Sequence, residues 1–597
     1  MLKVNLKQLL PLVALLAMVL APVGTLQAAT MSGDGVVVLS SPMLQATEPV
    51  TIYGATAALI NTLDPQIAED SISIPPIENL FLGLTDLDPK TTAVRPEMAT
   101  SWEVNDTGDV WTFTLRNDVP WVRYNPATQE TTELRKVVAE DFVYGIKRAC
   151  DPRTGGYYSS VAAAMIKGCA EAFGSDPASV TDETLDQVGV KALSETQLEV
   201  TLKGSLGFFL SASGMWIFRA SPKEVIEEFG EKWIEPGNIV TNGPFVLAEW
   251  DRPVNRVFVK NPLYPAGVSD NYGGNIERVN TIVVNDGGTI FSLYQNNEID
   301  TSGVPAAELQ RIRADAELSK ELRQNSDLAV FYFGFAYDKP PFDNVHVRRA
   351  FSASIDRQLF VSETQADQGV PMAHFMPPGI RGAVPINEVG IGQPATPGFD
   401  AELAKSELAA GGFPNCEGLP EISVAVYQGA SNWAEFLQNG IQTHLGCDPS
   451  KIVIEEVEFG VLLSTIKADT PTAQRPHIWT LGWGPDYPDG HNWVHDVLSC
   501  KADNPFKREC SEAIDGKIDA AATEVDPAKR EQLYREIEEA FFGPEGDFPI
   551  APLFLNINIF MVKPWYTGFW DTDGLFGGPH WESRKIDQAM QLAARGN

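Results

Sequence analysis

The stretch Ile478-Trp479-Thr480-Leu481-Gly482-Trp483-Gly484-Pro485-Asp486-Tyr487-Pro488-Asp489 joins two kinds of local structure. The apolar run from Ile478 to Leu481 reads as the end of a buried strand. Two glycines and two prolines then force an irregular turn that exposes backbone. Trp483 and Asp486, a ring and a carboxylate, sit on that turn three residues apart. Such a turn can hold an extended polar ligand, with backbone to pair, a ring to pack and an acid for a cation. From the residues alone, Asp486 serves equally well as the cap of its own turn, a common job for Asp.

Outward from this turn the pattern alternates. Leu328 to Phe335 is a continuous apolar run, as in a fully buried strand. Thr51 to Gly54 reads as a short strand. Trp111 to Leu115 alternates apolar and polar residues, as do Leu198, Val200 and Leu202 with their neighbours, which predicts half-buried strands. Asp400 is placed to cap a helix over Ala401–Ala410 that stops at Gly411 and Gly412. Asp526 is placed to cap another, with Pro527 at its first position and an apolar stripe of Leu533, Ile537, Ala540 and Phe541. The fold class is therefore mixed α/β. No internal repeat or low-complexity segment interrupts it.

A chain of 597 residues exceeds one ordinary core, so two to four domains are expected. Lys3, Lys7, the apolar run Leu9–Leu20 and Leu26-Gln27-Ala28 form a secretory signal over residues 1–28. The run is flanked by Pro11 and Pro22 and falls short of the roughly 20 residues a membrane span needs. No cysteine precedes Cys150, so the lipid-modified cysteine of bacterial lipoproteins is absent. The formal charge of −34 argues against nucleic acid and anionic membrane surfaces as partners. Six cysteines fall in close pairs: Cys150 and Cys169, Cys416 and Cys447, Cys500 and Cys510. In an exported chain this spacing suggests three local disulfides, one of the 15 pairings that six cysteines allow.

Catalytic signatures are missing. The chain has no G-x-S-x-G elbow, no phosphate loop, and no dinucleotide fingerprint after a strand, and nothing in it calls for a cofactor. His491 and His495, in H-N-W-V-H, lack the Glu that a zinc protease needs after its first His. They read as structural or solvent-exposed, and Asn492 suits a loop. Carboxylates are numerous, but no pair is marked for acid–base work.

What the chain does carry is an ordered series of blocks. These are Asn79–Leu84 (NLFLGL), Pro96–Val104 (PEMATSWEV), Trp111–Arg116 (WTFTLR), Ala139–Tyr144 (AEDFVY), Phe229–Trp233 (FGEKW), Pro236–Gly243 (PGNIVTNG), Pro340–Arg357 (PPFDNVHVRRAFSASIDR) and Met561–Trp565 (MVKPW). In that order, over roughly residues 50 to 570, they resemble the peptide-binding branch of the family 5 solute-binding proteins that serve ABC transporters. The blocks themselves read as structural. Arg348 and Arg357 face either carboxylates or solvent.

The resemblance implies a two-lobed binding-protein fold with a hinge and an enclosed cleft. One lobe would be discontinuous (29–76, 210–329 and 552–597). An inserted domain would span 77–209 and a second lobe 330–551. Trp483-Gly484-Pro485-Asp486 matches the branch's W-x-x-D turn, whose aspartate pairs with a peptide's α-amino group. Gly482 and Gly484 would present backbone to the peptide. Pro485 departs from any pairing that needs an N–H there. Asp489 is a second candidate acid, Tyr158 is similar to a tyrosine that reaches the cleft, and Arg381 and His374 are candidates for the ligand's carboxylate end. The function implied is capture of short peptides for an ABC permease, by a monomer in the periplasm or outside the cell. The alternatives are the same fold around an oligosaccharide or nickel chelate, and a secreted hydrolase.

Overall fold

A computed structural model describes residues 48–596 apart from 89–90, 157, 269–272, 387, 468–469, 503–507 and 569–579. The expected signal, residues 1–28, lies outside the described residues. Among the described residues no helix is long and apolar enough to cross a membrane.

The mixed α/β class holds, and local chemistry explains the elements. In the strand Val110–Leu115, Trp111, Phe113 and Leu115 are buried and the threonines between them are half-buried. This strand pairs antiparallel with Gln197–Thr201, setting Trp111 opposite Val200 and Phe113 opposite Leu198. Burying each such side chain is worth about 1.5–3 kcal/mol. The Asp400 carboxylate accepts from the N–H groups of Glu402 and Leu403, and that of Asp526 from Ala528 and Lys529. Each cap satisfies donors that the first helical turn leaves open.

One correction concerns the helix Pro527–Phe542. Its buried face is not purely apolar: Arg530, Tyr534 and Glu538 lie on it beside Ile537 and Phe541. A second concerns the arginine pair. Neither faces solvent, since Arg348 and Arg357 are fully buried. Arg348 donates to the Asp547 carboxylate (2.9 Å), while Arg357 donates to the carbonyls of Pro552, Ser352, Ile355 and Gly398. Burial lowers Arg357 to about 9, against an opposing pull from the neighbouring Asp356 carboxylate.

Among the described residues the largest sheet has seven strands. Its order is Thr301–Gly303, Ile550–Val562, Leu322–Phe335, Ile478–Trp483, Ile422–Tyr427 and Ile452–Val457, with Gly369–Pro371 also on Ile550–Val562. The two long strands, Leu322–Phe335 and Ile550–Val562, pair antiparallel. Their register breaks between Ser326 and Val330. At the break Leu328 sits at φ +56°, a left-handed conformation costly for a branched residue. The Asp327 carboxylate holds the break by accepting from Ala329 N–H (3.1 Å) and Asn556 Nδ2 (2.8 Å).

Apolar packing is divided along the same strands. One large cluster draws on residues 52–279 and 562–586, and the other on 328–555. Of the two strands, Ile550–Val562 runs from the second cluster, at Leu555, to the first, at Val562. Residues expected in the inserted domain, such as Phe113, share the first cluster with Phe245 and Val279. Tyr487 is the exception to the division. It comes from the second stretch of chain yet is buried in the first cluster, stacked on Phe208 at 5.2 Å between centroids. The three disulfides join the cysteines in the expected pairs.

Candidate functional site

The site is built on the strand Ile478–Trp483. One edge pairs with Val330–Phe335 along its whole length. The other edge pairs with the strand Ile422–Tyr427 only at Ile478 and Trp479. From Thr480 to Trp483 no strand among the described residues covers that second edge. A cavity of about 580 Å³ opens beside it, walled by Phe331, Tyr427, Phe459, Trp483, Gln428 and Glu458 as well as Leu481, Gly482 and Gly484. Gly482 is required by packing: a Cβ there would lie 2.7 Å from the Phe331 ring. Gly484 is exposed, and a Cβ there would meet only Ala329 at 3.7 Å.

The turn after the strand is held by Asn492, which lies in the short helix Gly490–Val494 and is fully buried. Its Oδ1 accepts from Asp486 N–H (2.9 Å) and Trp483 Nε1 (3.2 Å). Its Nδ2 donates to Asp486 Oδ2 (3.2 Å) and Asp496 Oδ2 (2.8 Å). The amide thus spends its full hydrogen-bonding capacity on the turn. Asn492 therefore belongs to a helix rather than the loop its neighbours suggest.

Asp486 is partly buried. Tyr158 Oη donates to its Oδ1 at 3.0 Å, although the two residues are 328 apart in the chain. The Tyr158 ring stands edge-on to Trp216, 4.8 Å between centroids. No ion pair to Asp486 occurs among the described residues. Desolvation raises its pKa above the usual carboxylate range, the Asn492 and Tyr158 hydrogen bonds oppose the rise, and the charge of Asp496 adds to it. A carboxylate held this way is poised for a cation.

The other candidates fare differently. Asp489 is fully buried. Arg530 forms a two-pronged ion pair with it, and Tyr534 Oη donates to its Oδ1 at 2.9 Å. It also caps the helix Gly490–Val494 through His491 N–H (3.0 Å). Its ionic partner is internal, so it is not a second ligand acid. His374 is likewise fully buried, its Nδ1 2.7 Å from Glu538 Oε2, and cannot meet a ligand carboxylate. Arg381 does adjoin the turn, but through its backbone. Its N–H donates to Pro488 O (3.2 Å), and its carbonyl accepts from Gly490 N–H (3.0 Å). Its half-buried guanidinium makes no hydrogen bond or ion pair with the described residues.

Asn492, Tyr487, Asp496 and Phe208 were not legible as site residues. The one available signal was an amide and an acid following Asp486 at helical spacing. Burial also separates the two histidines of H-N-W-V-H: His491 is buried against Phe208, while His495 is partly exposed.

With this geometry in view, the chain can be compared with known proteins. It is 28% identical to the periplasmic oligopeptide-binding protein OppA of Escherichia coli (strain K12), over 92% of this chain and 95% of that one. It is 27% identical to the probable deoxycholate-binding periplasmic protein YgiS of the same organism, over 85% and 88%. The unliganded open form of the periplasmic murein tripeptide-binding protein MppA shares the fold, with a TM-score of 0.74 at 23% identity over 90% of this chain and 98% of that one. The profile of the bacterial extracellular solute-binding proteins, family 5 Middle, matches residues 93–505. A match over so much of the length has one meaning: the chain belongs to the family 5 extracellular solute-binding proteins, the non-catalytic binding proteins of ABC transporters.

Proposed function

We propose that this chain is an exported protein that captures short peptides in extended conformation and delivers them to an ABC importer. The observation that carries the reading is Asp486, a partly buried carboxylate with no cationic partner among the described residues, beside a strand edge left open over a cavity. A peptide added along Thr480–Trp483 would pair through its main chain, which is indifferent to side-chain identity. Its α-ammonium would replace the Tyr158 hydroxyl on Asp486 or share the carboxylate with it. Such an enclosed charge pair fixes direction and register. Pro485 lacks an N–H, so pairing ends at the strand and does not continue around the turn. Opening and closing would move the discontinuous lobe (29–76, 210–329 and 552–597) relative to 330–551 about the two long strands, whose register break supplies the flexible point.

The family also takes other solutes, as the relative named for deoxycholate illustrates. The aromatic wall of Phe331, Tyr427, Phe459 and Trp483 suits an apolar ring system. A carboxylate-bearing solute, however, would meet Asp486 as a like charge. Native mass spectrometry of protein purified without refolding tests the reading. The expected result is a ladder of bound masses that sequence as short peptides. A population carrying only a sterol acid, a sugar or a metal chelate would overturn it.

A further inference from the structure

Behind the Asp486 turn lies a group that the peptide reading does not use. His491 and His495 stand one helical turn apart, with rings stacked at 4.3 Å between centroids. Asp496 follows directly. One donor atom from each of the three lies within 4.8 Å of the others. Asp496 Oδ1 is 2.7 Å from His495 Nδ1 and 4.0 Å from His491 Nδ1. A four-coordinate ion with bonds of about 2.0–2.2 Å needs donors about 3.4 Å apart, so the two observed separations straddle the required one. The Tyr487 hydroxyl is 2.7 Å from His491 Nδ1 and donates to Asp496 Oδ2 at 3.1 Å, on the rim of the same space.

We propose that His491, His495 and Asp496 form a binding site for a divalent transition cation of the zinc, cobalt or nickel class. Two imidazoles and one carboxylate make a mixed N₂O set, which favours these ions over magnesium or calcium, whose sites are built from oxygen. The surroundings are those a metal site requires. Asn492 Nδ2 and Tyr487 Oη both donate to Asp496 Oδ2, which orients the carboxylate and leaves Oδ1 for the ion. Phe208 stacks on His491 at 3.9 Å and closes one side to water. Without an ion, the same atoms satisfy one another through hydrogen bonds, so the site does not depend on metal to fold.

The position gives such an ion a consequence. Asn492 bridges Asp496 to Asp486, so a cation here would cancel the like charge that Asp496 exerts on the carboxylate of the cleft. Metal would therefore favour the ionised form of Asp486 while making its surroundings less negative.

Tag-free protein stripped with chelator would be titrated with zinc chloride by calorimetry and with cobalt(II) by absorption. One saturable site is expected, with the intense visible bands of four-coordinate cobalt and no heat with magnesium. His495→Ala and Asp496→Asn should each weaken zinc binding at least about 10–100-fold, whereas His346→Ala, in the helix Val345–Ala353 where it pairs with Glu407, should not change it. Asp496→Asn preserves shape, and a melting curve shows whether each variant is folded. Absence of saturable zinc binding to folded wild-type protein, or equal binding by wild type and both site variants, would overturn the proposal. The measurement uses metal alone, so it stands or falls separately from peptide capture.

Discussion

Replacing Asp486 by Asn changes almost no volume, yet it removes the charge proposed to anchor the peptide amine. In the absence of ligand the ionised carboxylate is unfavourable, because burial and the nearby Asp496 both push its pKa up. The sign follows from proton linkage. A group whose folded pKa is raised binds more protons in the folded state, so it lowers stability as pH rises through that interval. At neutral pH the Asn variant sheds this charge penalty but gives up one of two acceptors, Oδ1 for Tyr158 Oη and Oδ2 for Asn492 Nδ2, so its melting temperature should stay close to that of wild type. Ligand binding should fall instead. An ammonium left unpaired in a closed cleft costs about 2–5 kcal/mol, which is roughly 30- to 5000-fold in affinity. Wild-type affinity should also fall with acid at a higher pH than an ordinary carboxylate would give. The assay is calorimetry with a tripeptide identified from the co-purified ladder, in free and N-acetylated forms. Acetylation of the wild-type ligand should reproduce the loss caused by Asp486→Asn, and the two losses should not add. If the acetylated peptide binds as well as the free one, or if the variant keeps its affinity within about threefold, the amine-anchor argument is wrong.

Other consequences can be checked alongside. Asn492→Ala strips the turn of its hub and leaves buried groups unpaired, at about 1–3 kcal/mol. Peptide affinity should drop roughly 5- to 150-fold by the same titration, with a smaller loss of melting temperature. Asp489→Asn leaves the Arg530 charge buried without its partner, and urea unfolding should register a loss of about 3–5 kcal/mol. A buried cluster elsewhere sets the alkaline limit. Burial raises Glu78 to about 7 and Glu97 to about 8, against the pull of Arg219, while His580 reaches about 9 because Asp86 and Glu582 outweigh its own desolvation. All three hold protons in the folded state that the unfolded chain has released, so melting temperature should fall steadily from pH 6 to pH 9. Asp86 is lowered and acts in the acid range only. Glu97→Gln should flatten the decline, and a constant melting temperature across that range would contradict the argument.

The errors made from sequence share a physical origin. Asp489 and His374 were chosen because acids and imidazoles near a ligand turn suit a ligand's ends. Composition and spacing do not reveal that the helix Pro527–Phe542 brings Arg530 to Asp489 and Glu538 to His374. An apolar stripe predicts which face of that helix is buried but not which polar residues are buried with it. Asn492 was hidden for a similar reason, because its worth lies in four partners that only folding assembles.

The local chemistry of the chain was enough for its mixed α/β class and its capped helices, and close spacing suggested the pairing of its cysteines. Each of these rests on residues close together in sequence, where periodicity and loop length constrain the outcome. The turn from Gly482 to Asp486 was legible as a candidate ligand site for the same reason. The tertiary structure alone decided what that turn faces. Among the described residues it brings Tyr158 across 328 residues to the Asp486 carboxylate, withholds a strand from the edge at Thr480–Trp483, and gives Asp489 an internal arginine while leaving Asp486 without one. Whether a carboxylate is spent on the fold or kept for a ligand depends on which cation reaches it, and that is a property of packing between distant segments.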